Sequence, residues 1–234
     1  MTYLAVEKDD VIHERESFFW LSRNISSVRV LSMNEAIKEA ERNQFLYIGI
    51  NANNINYMPM LKILRDVTSD PIFISTTSYT MQEQTEATLN GADLFGQISD
   101  SPNDNYTAVM ANINRINERA AQRKPTAKIL TYGDILLAPT CHQAFIYDEE
   151  IRLTKNEMDI LHYLMINRGS ILSHKQIFRK VFDGEYDEAS SDVIYSTLKR
   201  LRKKIKEVSA VEYIETVRDV GYRLIAGRNM KHGA

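Results

Sequence analysis

The chain contains 234 residues, 44% of them hydrophobic and 26% charged, and its formal net charge at pH 7 is −2. These values are typical of a soluble chain with two ordinary domains, and the longest apolar run, residues 45–50, is too short to cross a membrane. The single cysteine, Cys141, excludes an intrachain disulfide, and the N-terminus lacks a signal-peptide pattern. We therefore expect a reducing, cytoplasmic location.

Apolar strands alternate with helices through the first 120 residues. The predicted strands lie at 3–6, 28–31, 45–50, 71–75 and 94–97. A helix is predicted over 36–42, and later helices show apolar faces that include Leu64 and Ile113. This β-α order predicts a parallel sheet covered by helices on both sides.

A polar stretch with Pro125 separates this pattern from a different one downstream. We predict an N-terminal domain at 1–120, a linker at 121–126 and a C-terminal domain at 127–228. In the C-terminal domain, short strands precede three helices, and a β-hairpin signal closes the chain. The charge is uneven, because residues 1–126 carry a net −4 and residues 127–234 a net +2.

The three C-terminal helices are predicted from their N-terminal signals. Thr154 with Glu157, and Ser173 with Gln176, have the spacing of a capping box, in which each side chain bonds the other residue's backbone N–H. Ser191 is predicted to cap the third helix.

The third helix, near residues 191–206, separates into an aliphatic side and a basic side. At about 100° per residue, four aliphatic side chains fall on one face: Ile194, Leu198, Leu201 and Ile205. The opposite face carries hydroxyl and basic groups: Ser196, Lys199, Arg200, Lys203 and Lys206. An isolated basic helix is usually a solvated surface. Two capped helices before this one, and a hairpin with Arg218 after it, favour DNA recognition instead.

Four segments, at 153–161, 169–173, 198–205 and 214–224, resemble the effector domain of OmpR/PhoB-type response regulators. The resemblance implies a winged helix-turn-helix domain with a four-stranded N-terminal sheet. It also implies that Arg200 reads a base and that Arg218, on the wing, enters the minor groove. The DNA-binding residues implied by helix and family together are Ser196, Thr197, Lys199, Arg200, Arg202, Lys203, Thr216, Arg218 and Tyr222. Arg202 would contact a phosphate, whereas Tyr222 has the alternative of packing the wing onto the core.

The same family predicts an upstream receiver-like domain, a flavodoxin-like α/β fold with a five-stranded parallel sheet. A working receiver needs an aspartate nucleophile, an acid pair for Mg²⁺, a hydroxyl and a lysine. In this chain the acid pair becomes Glu7 and Lys8. The nucleophile position falls on Gly49, or on Asn51 if the alignment shifts by two. The hydroxyl stays at Thr76, or Ser75 if the register slips, and Ile98 replaces the lysine.

Neither glycine nor asparagine can form an acyl phosphate, so we expect a degenerate pocket that is not phosphorylated by the usual route. One hypothesis places the Lys8 ammonium in the metal's space, near Glu7. The last helix of this domain has uncharged residues where the family's dimer face has arginines: Ala108, Met110, Asn112 and Asn114. We therefore expect a constitutive homodimer formed through apolar contacts.

These features predict a sequence-specific, DNA-binding transcriptional regulator that acts independently of aspartyl phosphorylation. One alternative is a phosphorelay-dependent response regulator of a two-component system with a non-standard acceptor. Another is an adaptor whose winged helix contacts a protein. No enzyme, metal site or cofactor is expected, because the histidines lack ligand spacing and no glycine-rich phosphate loop is present. The expected partners are double-stranded DNA, a second copy of the chain and RNA polymerase, with no membrane.

Overall fold

The computed structural model describes residues 1–99, 101–120, 128–182 and 184–229. The chain divides between residues 127 and 128 into two compact units. The predicted linker at 121–126 lies outside the described residues. None of the described helices combines the length and the apolar character needed to cross a membrane.

Five parallel strands form one sheet in the N-terminal unit, in the order β2-β1-β3-β4-β5. The strands are β1 (Thr2–Val6), β2 (Ser26–Val30), β3 (Ile48–Asn51), β4 (Ile72–Thr76) and β5 (Leu94–Gln97). The helices are α1 (Asp10–Leu21), α2 (Met33–Arg42), α3 (Met58–Val67), α4 (Met81–Leu89) and α5 (Pro102–Ala120). The predicted receiver-like fold is confirmed.

The third strand begins three residues later than predicted, at Ile48. Phe45 and Tyr47, which precede it, are buried, but the Phe45 amide donates to the carboxylate of Asp70 at 2.8 Å. The apolar run therefore predicts correctly which residues are buried, but it does not predict the residue at which strand pairing starts.

Aromatic rings cover part of the sheet face that lies under α1 and α5. Trp20 of α1 packs against Tyr3 and Tyr47, with ring centroids 5.4 and 5.3 Å away. Val109 and Ile113 of α5 belong to the same buried cluster. Successive residues of a strand point to opposite faces of the sheet. The residues of β1 and β3 that alternate with this set therefore lie on the opposite face.

The C-terminal unit places three helices between a small sheet and a hairpin. An antiparallel four-stranded sheet contains β6 (Leu130–Tyr132), β7 (Ile135–Ala138), β8 (Gln143–Ile146) and β9 (Glu149–Glu150). The helices are α6 (Lys155–Ile166), α7 (His174–Val181) and α8 (Glu188–Val208), and the hairpin is β10 (Val211–Val217) with β11 (Gly221–Asn229). This is the predicted winged-helix fold.

The N-terminal ends of the helices confirm two of the three predicted caps. Capping boxes start α6 at Thr154 and α7 at Ser173. The predicted Ser191 cap is wrong, because α8 begins earlier, behind Asp187. The Asp187 carboxylate accepts from the Ser190 amide at 2.8 Å, and a charged acceptor makes the stronger cap. The Ser191 hydroxyl instead bonds the Tyr186 hydroxyl at 2.6 Å.

Candidate nucleic-acid interface

Helix α8 has a buried aliphatic face and an exposed basic face, as the sequence indicates. Its aliphatic side chains lie in the core of the C-terminal unit: Ile194, Leu198, Leu201 and Ile205. The side chains of Lys199, Arg200, Lys203 and Lys206 are exposed, and Ser196 is half-buried with its hydroxyl bonded to the Val193 carbonyl at 3.0 Å. One long side of the helix is therefore basic and accessible in this unit.

Arg200 is held in place without being covered. Its side chain is 62% exposed, and its Nη2 donates to the Thr197 hydroxyl at 3.1 Å. Thr197 itself is buried, and its hydroxyl donates to the Val193 carbonyl at 2.8 Å. The prediction that Thr197 contacts DNA is wrong for this reason. The residue orients Arg200 instead.

A buried carboxylate, Glu157 of α6, connects two of the basic side chains of α8 to the core. Its Oε2 accepts from Lys204 Nζ at 2.6 Å and from the Thr154 amide at 2.8 Å, and its Oε1 lies 3.8 Å from Arg200 Nε. Burial raises the pKa of Glu157, but the hydrogen bonds from Lys204 and Thr154 outweigh that effect and leave the pKa below its ordinary value. The carboxylate is therefore charged at neutral pH and fixes α8 against α6.

The wing presents Arg218 at an exposed turn between β10 and β11. Gly221 begins β11 with φ 155°, and a Cβ there would lie 2.0 Å from the Leu172 carbonyl oxygen. The close approach exists because Leu172 and Tyr222 exchange two backbone hydrogen bonds, of 2.8 and 2.9 Å. Only glycine allows this contact, which anchors one side of the wing to the core.

Three of the predicted DNA-binding residues help to attach the wing to the rest of the unit. Arg202 of α8 donates from Nη2 to the Ile214 carbonyl at 2.9 Å and to the Thr216 hydroxyl at 2.8 Å. Tyr222 is buried, and its hydroxyl lies 3.3 Å from His174 Nε2. The packing alternative therefore holds for Tyr222. Arg202 and Thr216 form a bond between α8 and the wing, and their contact with DNA stays a prediction.

Asn51, one of the two candidate positions for the nucleophile, connects β3 to the residue that follows β1. It lies at the end of β3 opposite Ser75, and its Nδ2 donates to Glu7 Oε2 at 2.6 Å. The other carboxylate oxygen, Glu7 Oε1, accepts from the Asp9 amide at 2.7 Å. Of the two candidate alignments, the shifted one brings Asn51 to the acidic residue, whereas Gly49 pairs with Ala5 and Phe73 inside the sheet.

The remaining pocket residues surround this pair. Thr76 is buried, and its hydroxyl lies 3.1 Å from Asn53 Oδ1 and 2.9 Å from the Ser78 carbonyl. Ile98 follows β5 and supplies no charge. Lys8 is exposed, and the described residues show no ion pair between it and Glu7, so the hypothesis of a Lys8 ammonium in the metal's space is wrong. The amide of Asn51 takes the contact with Glu7.

The comparison with known proteins agrees with this architecture. Residues 148–224 match the family model described as "Transcriptional regulatory protein, C terminal". The regulatory protein VanR of Enterococcus faecium is 20% identical over 224 residues, which cover 94% of this chain and 97% of VanR. The response regulator ArlR of Staphylococcus epidermidis is 28% identical over 172 residues, 72% of this chain and 73% of ArlR. The C-terminal unit is therefore similar to the C-terminal domains of transcriptional regulators, and the chain as a whole is similar to response regulators.

Among solved structures, one described as "A novel family of redox sensors in the streptococci evolved from two-component response regulators" aligns with 96% of this chain and 98% of its own. Its sequence identity is 22% and its TM-score 0.44.

Replacing Arg202 is expected to loosen the wing. Arg202→Ala removes the bonds to the Ile214 carbonyl and the Thr216 hydroxyl, so the opening free energy of the 211–225 amides should fall by about 1–3 kcal/mol. Amide hydrogen exchange measures this. Lys203→Ala replaces an exposed side chain one residue further along the helix, and should change this opening free energy by less than about 0.5 kcal/mol. Equal exchange rates in the two variants would contradict the anchoring role of Arg202.

Proposed function

We propose that this chain is a sequence-specific DNA-binding transcriptional regulator whose α8 enters the major groove. The observation that carries the proposal is the exposed Arg200, which the Thr197 hydroxyl and the buried Glu157 hold in place. An oriented guanidinium can bond guanine O6 and N7 together, and orientation before binding lowers the entropy cost. The family match at residues 148–224 supports the same function.

The other exposed groups have complementary roles in the proposal. Lys199, Lys203 and Lys206 lie along the exposed side of α8 and contact phosphates. Arg218 enters the adjacent minor groove from the wing. The bond of Arg202 to Ile214 and Thr216 fixes the spacing between the two reading elements. No catalytic activity is assigned to the chain, and RNA polymerase remains a predicted partner.

Binding measurements separate base reading from phosphate contact. Arg200→Ala should weaken binding to the cognate duplex by about 1–3 kcal/mol and relax base preference at one position. Lys203→Ala should weaken binding to all duplexes alike and reduce the slope of log K against log salt by about 1.

Lys62→Ala, which removes an exposed cation from the N-terminal unit, is the control and should leave the salt slope unchanged. Binding of the wild type that does not depend on salt would favour the protein-adaptor alternative over DNA recognition.

We further propose that the regulator works without aspartyl phosphorylation. The end of β3 carries Asn51, whose amide is bonded to Glu7. Both oxygens of Glu7 accept hydrogen bonds from protein groups, which removes a ready ligand for Mg²⁺. With Ile98 in place of a lysine, no cation follows β5 to neutralise a phosphoryl group. The nucleophile, one acid of the pair and the lysine are thus replaced by groups that cannot perform their chemistry, whereas the hydroxyl is kept at Thr76.

Incubation of the full chain with acetyl phosphate and Mg²⁺ is expected to leave its intact mass unchanged. A stable gain of one phosphate, abolished by replacing Asp9, Asp10 or Asp66, would instead support the alternative of a phosphorelay protein with a non-standard acceptor.

A homodimer completes the proposal. Met81 and Leu89 are 76% and 82% exposed, and their spacing of eight residues places both on one side of α4. Their burial against a second copy would supply an apolar interface that needs no phosphorylation.

Sedimentation at micromolar concentration should show a dimer, and Leu89→Asp should convert it to monomer. Phe18→Asp changes an equally exposed side chain on α1 and should keep the dimer. A wild-type monomer, with and without operator DNA, would contradict this part of the proposal.

A further inference from the structure

A cavity of about 300 Å³ lies in the N-terminal unit, bordered by β1, β3, β4, β5, α1 and α5. Small residues make room for it, because Ala5, Gly49 and Gly96 line the sheet side. A Cβ placed on Gly96 would meet no atom within 4 Å, so this strand position faces open space. The volume is that of a small-molecule site rather than a packing defect.

The apolar part of the wall is aromatic. Tyr3, Trp20, Tyr47 and Phe73 all border the cavity. The Tyr3 and Tyr47 rings stack with centroids 4.9 Å apart, and Phe73 continues the row 5.3 Å from Tyr47. Each ring is packed against another, so the wall is rigid and suits a flat apolar body.

The polar part of the wall is acidic. Glu7 and Glu16 line the cavity, and none of the described lining residues is a lysine or arginine. Glu16 Oε1 accepts from Asn105 Nδ2 at 2.9 Å and lies 3.9 Å from Nη2 of Arg15, which is outside the lining.

His13, which also lines the cavity, adds little positive charge. Burial and the neighbouring Arg29 lower the pKa of His13, so the ring is neutral at neutral pH. The cavity therefore disfavours anions, including phosphate, and favours a cation.

We propose that this cavity binds a small organic amine, with its apolar body against the aromatic wall and its ammonium group near Glu16 and Glu7. Aromatic faces and carboxylates both attract an ammonium group, and they do so most strongly where water is excluded. The N-terminal unit would then be a receptor for a ligand. This inference does not depend on DNA binding, so either proposal can fail alone.

The chain's only tryptophan, Trp20, borders the cavity and reports its occupancy through fluorescence. Three probes of similar shape separate charge from size: phenethylamine, the neutral 2-phenylethanol and the anionic phenylacetate. With the full chain at neutral pH, phenethylamine should change Trp20 emission with saturation below about 1 mM. The alcohol should bind about tenfold more weakly, and phenylacetate should cause no saturable change.

Variants of the full chain test whether the amine binds in this cavity. Gly96→Val adds a side chain that projects into the open space and should abolish the phenethylamine response. Gly96→Ala adds one methyl group, should fold as the wild type does, and should weaken binding. Glu16→Gln keeps an oxygen for Asn105 and should weaken amine binding about tenfold without affecting the alcohol. Glu14→Gln, at an exposed carboxylate of the same helix, is the matched control and should change nothing.

The proposal would be overturned by a lack of saturable response to phenethylamine, or by phenylacetate binding as tightly as the amine. It would also be overturned if the two Gly96 variants bound phenethylamine as the wild type does.

Discussion

The aliphatic face of α8 packs into the core of the C-terminal unit, and the proposed DNA surface depends on that packing. Ile194, Leu198, Leu201 and Ile205 are almost wholly buried. Burying each side chain contributes about 1.5–3 kcal/mol, which exceeds the effect of any one surface charge. With this side committed to the core, the helix cannot rotate, so Arg200 and Lys203 remain on the exposed side.

Burial of the aliphatic face sets the orientation of α8, and polar contacts then set the positions of individual side chains. Glu157 and Lys204 are 47 residues apart, and Arg202 reaches Ile214 from a different element. Helical periodicity places Lys204 and Arg202 beside the basic face but cannot identify partners on other elements. The correct predictions in this unit, such as the caps at Thr154 and Ser173, rest on interactions within four residues. The wrong ones, such as the DNA contact of Thr197, depended on burial that only the assembled core creates.

In the N-terminal unit the sequence predicted the parallel fold and named the residues at the expected pocket positions, but it did not show which of them contact one another. The parallel sheet was predicted from the alternation of strands and helices, and Asn51 and Ile98 were placed by alignment with the family. The contact between Asn51 and Glu7 joins β3 to the end of β1, which no local pattern encodes. The cavity was also beyond sequence reasoning, because it arises from Ala5, Gly49 and Gly96 on three strands together.

Base reading by Arg200 is the central claim, and methylation interference on a selected duplex tests it most directly. Methylation at guanine N7 blocks the acceptor that a bidentate arginine uses. At one guanine, methylation should weaken binding of the wild type and have no effect on binding of Arg200→Ala. The same interference pattern for both proteins would show that Arg200 does not read that base, and would contradict the account.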